Sequence, residues 1–450
     1  MISRVHRACA LLILLLCLTA GSVSAQTPAR GNAVNEMPSV TTVPPAAQPS
    51  SHFDVDAATE AYLAQIPAGA SARSDAYFEG GYWLILWDFI YGAAISLLLL
   101  NLRWSARMRD LAERLTRFRP LRTFVYWTQY SVVTFLLGAP LAIYEGYTRE
   151  RRYGLATQTF GPWAWDQTKG MLLGIVLGGL LVMALFGIVR RLPKTWWIWG
   201  SAVTMMFLLV AVLIGPIYLQ PLFNKVAPLA DPKVTEPILS LARANGIAAK
   251  FIYQMDASQQ STRMSANVSG LGQTMRITLT DNLLRRGSPE EIQAVMGHEM
   301  GHYVLNHVYK DLLFFFPALI VIGFALLRGS LDWFLKRWGG TWQIRGIGDP
   351  AIVPLVILLI SIFGFILTPI LNTQIRTEER EADMYGLNAA RQPDGAAQGA
   401  IHLGEYRKMR PGPIEEFVFF DHPSGYNRIH RAMQWKAENL RLYADQSVRK

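Results

Sequence analysis

Cysteine is nearly absent. The chain has two, Cys9 and Cys17, both inside one apolar amino-terminal run. A chain that begins after that run has none, which excludes structural disulfides and thiol catalysis. Charge is scarce as well: 17% of residues are charged and 51% hydrophobic, where soluble domains carry roughly a quarter charged. Histidine is sparse too, with eight in 450 residues, so any cluster of them carries information. The formal net charge of +10 is no nucleic-acid signature. The basic residues collect in short loops between apolar runs, where they act as membrane-orientation signals. The composition is that of a polytopic membrane protein, and no nucleic-acid partner is expected.

Residues 1–25 read as a secretory signal: Arg4 and Arg7, an apolar core from Ala8 to Ala20, and small residues at Val23-Ser-Ala25. An uncleaved anchor is the alternative. Gln26 to Ser51, rich in Pro, Ala, Thr and Ser, is expected to be a disordered tether. Residues 54–65 suit a short amphipathic helix without chemistry, which completes an exported region over 26–80. Six apolar runs long enough to cross a bilayer follow, at about 82–102, 123–144, 171–189, 196–217, 311–328 and 352–371. Four lie within 81–224 and two within 311–371. Asp88, inside the first, faces the protein interior or an interface rather than lipid. The polar segment 225–310 reads as a helix over 232–244, a strand over 250–255, a Gly-rich turn from Asn267 to Gly272, a strand near 275–280, and a further helix. A polar carboxy-terminal region covers 372–450.

The further helix carries Gly-His-Glu-Met-Gly-His, residues 297–302. Ser288 can cap it, Pro289 fits its first turn, and Glu291 completes a capping box. His298 and His302 then lie one turn apart on one face, where both imidazoles can reach one zinc ion. Glu299 sits beside them, placed to take a proton from water. The blander reading is a pair of solvated or core histidines. A catalytic zinc needs a third protein ligand, and Arg376-Thr-Glu-Glu-Arg-Glu-Ala-Asp383 offers one. Glu379 and Asp383 are four apart and share a face. One can bind metal while the other accepts a hydrogen bond from the far nitrogen of a ligand histidine. Alone, such a charged run reads as a solvated helix. His307 follows His302 by five positions, an offset that directs it away from the metal, so it is expected not to be a ligand.

These motifs, with His422-Pro and Arg428 six residues after that histidine, resemble the type 1 CAAX prenyl proteases, integral-membrane zinc metallopeptidases of the gluzincin kind. Tyr153-Gly-Leu-Ala-Thr-Gln-Thr and Pro221-Leu-Phe-Asn-Lys225 resemble two membrane-proximal signatures of that family. Asn267 in Ser-Ala-Asn-Val-Ser-Gly, and Arg276-Ile-Thr-Leu-Thr-Asp-Asn-Leu-Leu284, resemble its active-site strand region. The likeness runs from about residue 80 to about 435. It implies one zinc ion held by His298, His302 and Glu379, with Asp383 and Arg376 around the ligands. It implies Glu299 as general base, His422 or Arg428 as oxyanion donor, and Asn267 as a contact to the substrate backbone. Ile375 and Val268-Ser269 depart from the family pattern. They leave the zinc chemistry intact and bear on substrate preference.

The expected fold is mainly α: a polytopic membrane bundle of about six transmembrane helices plus a signal segment, with a small α/β zinc metallopeptidase domain. The expected partners are the bilayer and a peptide or protein substrate, lipidated at a carboxy-terminal cysteine where the family likeness holds. Turnover of membrane or exported proteins is the rival role, and a transporter or silent scaffold the rival class. Loops 103–122, 190–195 and 328–349 carry fourteen Arg and Lys, against four in loop 145–170. That bias puts the site on the exported side, the periplasm for a bacterial inner membrane. The family's eukaryotic members work from the cytosolic side, so charge and resemblance point opposite ways.

Overall fold

A computed structural model describes residues 41–269 and 275–443. The signal segment, the first part of the expected tether and turn residues 270–274 lie outside them. Among the described residues, five helical stretches are long and apolar enough to cross a membrane: Ala68–Asn101, Phe160–Arg191, Trp196–Leu222, Pro289–Trp342, which is interrupted at Asn306, and Pro350–Ala390. The run expected at 123–144 forms the helix Arg119–Ile143, which is not among the five. Thr128, Gln129, Ser131 and Thr134 dilute its hydropathy, and it turns polar groups inward. Gln129 Nε2 donates to the Met108 carbonyl at 3.1 Å, and Tyr126 Oη lies 2.7 Å from Ser105 Oγ. Tyr126 and Tyr130 join Leu99, Phe186, Trp196 and Leu355 in the buried core of the bundle. Outward, Phe314 is 72% and Ile366 67% exposed, as a lipid-facing surface requires.

The 225–310 segment contains a four-stranded sheet: β1 (Val226–Pro228), β2 (Ile252–Met255), β3 (Ala266–Ser269) and β4 (Arg276–Thr280), in the order β1-β2-β4-β3. β2 and β4 run parallel and the outer pairs antiparallel, with Asn267 opposite Thr278. β1 and β3 differ from the sequence reading, which placed a turn from Asn267. Strands of three and four residues are too short for an alternating pattern to show. One face of the sheet packs Ile252, Ile277 and Leu279 against Ile238, Met296 and Met300 of the flanking helices.

Two family signatures fasten this unit to the bundle. The stretch after Tyr153 pairs with residues 260–262: Thr157 N donates to the Gln260 carbonyl at 3.1 Å and Thr262 N to that of Leu155 at 3.0 Å. Asn224, in the second signature, donates to Gln260 Oε1 at 3.0 Å.

The tether expectation is corrected for residues 41–51. Ala47 is fully buried among Tyr62, Ile401, Ile429 and Met433, and the Lys436 ammonium donates to its carbonyl at 2.7 Å. Gln398 Nε2 donates to the Thr41 carbonyl at 2.8 Å. Composition reports what a segment could bury on its own; this one is ordered by a groove made from residues some 350 positions later. The amphipathic helix beside it, Val55–Leu63, forms as expected.

Candidate metal centre

The helix Pro289–Val304 starts with both capping-box bonds made: Glu291 N donates to Ser288 Oγ at 3.2 Å, and Ser288 N to Glu291 Oε2 at 2.6 Å. The cap anchors the helical register, which sets His298 and His302 on one face with Nε2 atoms 3.2 Å apart. The second helix, Val353–Ala390, crosses this one at glycines. A Cβ at Gly386 would stand 2.7 Å from the His298 backbone nitrogen, and one at Gly297 would stand 2.9 Å from Ala390 Cβ. Only bare backbone lets the axes approach so closely. The crossing carries Glu379 to the histidines, Oε2 3.3 Å from His298 Nε2 and Oε1 3.3 Å from His302 Nε2.

His298, His302 and Glu379 offer ligand atoms that all lie within 4.8 Å of one another. Glu379 Oε2 is buried and accepts no hydrogen bond. The Arg428 guanidinium stands 3.8 Å from this oxygen, so among the described residues it faces two imidazole nitrogens at 3.3 Å with no cation in close contact. Two imidazoles and a carboxylate fit a divalent transition metal with one coordination position left open.

The far nitrogens are held too. His298 Nδ1 is 2.9 Å from Asp383 Oδ1, and Arg428 Nε donates to Asp383 Oδ2 at 3.0 Å. Burial works against the Arg428 charge, but Asp383 outweighs it and raises the guanidinium pKa above its ordinary value. His302 Nδ1 is 2.9 Å from His307 Nδ1, and His307 Nε2 is 3.1 Å from Glu381 Oε2. His307 is not one of the three candidate ligands, but it does not point away. The helix breaks at Asn306, whose φ of 61° turns the chain back and returns His307 to His302. A straight-helix offset could not anticipate that break.

Six of the sequence-selected residues line one cavity of about 220 Å³: His298, Glu299, Glu379, Asp383, His422 and Arg428. The His422 ring enters with Nε2 3.3 Å from Glu379 Oε2, while its Nδ1 is 2.8 Å from Asp421 Oδ1. Burial raises the Asp421 pKa, but the His422 hydrogen bond and the Arg407 charge outweigh it and hold the carboxyl below the usual range. His302 and Asn267 do not line the cavity; Met264, Ser265 and Ala266, just before Asn267, do. Asn267 itself sits on the sheet's outer strand, its Oδ1 buried without a partner. Arg376 stands further off. Its guanidinium donates to the Glu416 and Phe420 carbonyls, which steadies the segment leading to His422.

Sequence reasoning missed the His307–Glu381 pair, Asp421 and the glycine crossing. Only the last had a signal, the four-residue spacing of Gly297 and Gly301 inside the motif itself.

Membrane-spanning helices, a candidate metal triad with His298 and Glu379 in the cleft wall, and the adjacent Glu299 carboxylate define a membrane metalloprotease. Residues 56–225 match the family model described as CAAX prenyl protease N-terminal, five membrane helices, and residues 228–436 match peptidase family M48. The chain belongs to that peptidase family. It is 30% identical over 343 residues to an uncharacterized metalloprotease, YhfN, of Bacillus subtilis, covering 76% of this chain and 80% of the relative. It is 33% identical over 353 residues to a CAAX prenyl protease 1 homolog of Dictyostelium discoideum, covering 75% and 77%. The crystal structure of S. mikatae Ste24p shares the fold, with a TM-score of 0.68 at 23% identity over 81% of this chain and 88% of that one.

Proposed function

We propose that this metalloprotease is a zinc endopeptidase, with His298, His302 and Glu379 as ligands and Glu299 as general base. The observation that carries this reading is the Glu379 carboxylate, held between two imidazole nitrogens and beside Glu299 in one cavity. Bound zinc supplies a Lewis acid that activates water and polarises the scissile carbonyl. Glu299 accepts the proton of the attacking water on its carboxylate and returns it to the leaving amine. Asp383 accepts from His298 Nδ1–H, which leaves Nε2 as a lone pair for the metal. His302 Nδ1–H donates to His307, whose Nε2–H donates to Glu381, and this fixes the second ligand tautomer in the same way. His422 Nε2–H is the donor for the oxyanion. Arg428 is engaged by Asp383 and acts by holding it. Arg376 supports the His422 segment from a distance.

The substrate is an extended peptide that pairs with β3, the outer strand beside the zinc helix, where Asn267 can meet its backbone. By likeness to relatives named CAAX prenyl protease 1, the bond cleaved lies next to a carboxy-terminal, lipidated cysteine. Peptide profiling with and without the lipid tests this. Equal turnover of unlipidated peptides would assign the enzyme to general turnover of membrane or exported proteins.

The site opens on the exported side of a bacterial inner membrane. Arg109, Arg190 and Arg345, from the three basic loops, meet at one end of the bundle. The helix Arg119–Ile143 leads from there to Glu150, which pairs with Arg263 near the catalytic unit at 2.7 Å. Fourteen basic residues against four put that basic end inside. Single cysteines at Arg114 and Ser269, probed with an impermeant thiol reagent in spheroplasts, test the assignment. Labelling at 114 and not at 269 reverses it.

Glu299→Gln should keep its zinc and lose turnover. A variant that cleaves like the parent ends the protease mechanism proposed here.

A further inference from the structure

At the end of the bundle away from the metal centre lies a second cavity, about 370 Å³ against 220 Å³ at the catalytic cleft. Five arginines line it: Arg109, Arg119, Arg122, Arg190 and Arg345. Its acidic lining is Glu113 and Asp349, and both are taken. Arg109 pairs with Asp349 at 2.6 Å and Asp110 at 2.8 Å, and Arg345 pairs with Glu113 at 2.8 Å and Asp110 at 3.1 Å. Arg119, Arg122 and Arg190 have no ion pair among the described residues. Arg190 donates to the Gly348 carbonyl at 3.0 Å and to Thr123 Oγ1 at 3.2 Å, and Arg122 to the Thr116 carbonyl at 2.9 Å. Neutral oxygens orient the Arg122 and Arg190 guanidinium groups without cancelling their charge.

Positive charge near a helix end is enough to orient a membrane protein, and it works equally well spread around the rim. Here three uncompensated guanidinium groups converge from two helices into one concave space, although like charges repel. That convergence is what a multivalent anion rewards. Forked N–H donors match tetrahedral phosphate oxygens, and several of them surround such a group better than a planar carboxylate. The volume falls in the range of roughly 300 to 1,000 Å³ typical of ligand sites, so it fits a headgroup better than a lone small ion. It opens where the bundle helices end, the depth at which headgroups lie.

We propose that this cavity binds a phosphate-bearing anion, either the headgroup of an anionic phospholipid or a small soluble phosphate ester, through Arg119, Arg122 and Arg190.

The test is thermal unfolding of the full-length protein in a non-ionic detergent. One arm adds phosphatidylglycerol, with phosphatidylcholine as control. The other adds pyrophosphate, with sodium chloride at equal ionic strength. We expect phosphatidylglycerol to raise Tm by about 3 °C or more, a mass-action effect of binding to the folded state. The shift should vanish in the double variant Arg119→Gln, Arg122→Gln. A shift with the lipid alone assigns a headgroup, with pyrophosphate alone a soluble phosphate, and with both a general phosphate site. If the double variant does not fold, Arg119→Gln replaces it, because the exposed Arg119 side chain makes no hydrogen bond among the described residues, and at least half of the shift should be lost. No shift in either arm, or equal shifts in parent and variant, overturns the proposal.

Discussion

His302 and His307 face each other through their Nδ1 atoms at 2.9 Å, across the break in the helix at Asn306. One ring must donate and the other accept, and Glu381 at the far nitrogen of His307 makes His307 the acceptor from His302. His302 Nε2 is then free to bind metal. His307→Ala should therefore weaken zinc affinity roughly 10- to 100-fold, the usual cost of losing an outer-shell partner. Competition against a chelator reads it. Unchanged affinity would make the histidine pair a packing contact only.

The crossing of the two site helices makes a steric prediction. Gly386→Ala drives a methyl group to within 2.7 Å of the His298 backbone nitrogen, where neither helix can yield without moving a ligand. The cost should be about 1–3 kcal/mol, with metal affinity falling alongside stability. Gly399→Ala is the control. Nothing lies within 4 Å of its added carbon, and a helix favours alanine by up to about 1 kcal/mol. Thermal unfolding of both variants separates the two, and equal Tm values would contradict the close crossing.

The family resemblance implies His422 or Arg428 as oxyanion donor, and the surroundings of the two differ. His422 reaches into the cleft with its outer nitrogen, while Arg428 hydrogen-bonds to Asp383 and stays 3.8 Å from Glu379 Oε2. His422→Ala should lower kcat by roughly 10²- to 10³-fold at nearly constant KM and constant zinc. Arg428→Ala should lower kcat and zinc affinity together. A pure KM effect at His422 would make it a substrate-binding residue.

Much of this was legible because the chemistry sits on helices. His298, Glu299 and His302 follow from one helical turn and a capping box, and the structure realises both. Glu379 and Asp383 were legible as a pair sharing a face, but which of them sits between the histidines depended on the crossing helix. What stayed hidden was set by tertiary contact. The Asn306 break redirects His307, β3 is a strand only because β4 pairs with it, and residues 41–51 are ordered by Gln398 and Lys436. No local pattern reports those partners.

Glu415 gives a pH prediction away from the membrane-spanning helices. Burial raises its pKa, but Lys408 at 2.9 Å and the Gly412 amide at 3.0 Å outweigh that and hold it below its ordinary value. A depressed folded-state pKa contributes stability above the unfolded value, near 4.5, that is lost as pH falls through the folded one. Tm should drop as pH falls below that value, and Glu415→Gln should flatten the drop. An identical acid profile in the variant would show that this carboxylate does not contribute.

In the proposed mechanism His298, His302 and Glu379 hold the metal while Glu299 moves the proton. The most direct measurement is zinc per chain together with turnover, for the parent, Glu379→Ala and Glu299→Gln. We expect one zinc per chain in the parent, most of it lost in Glu379→Ala, and full zinc with almost no turnover in Glu299→Gln. Full zinc in Glu379→Ala, or parental turnover in Glu299→Gln, would contradict it.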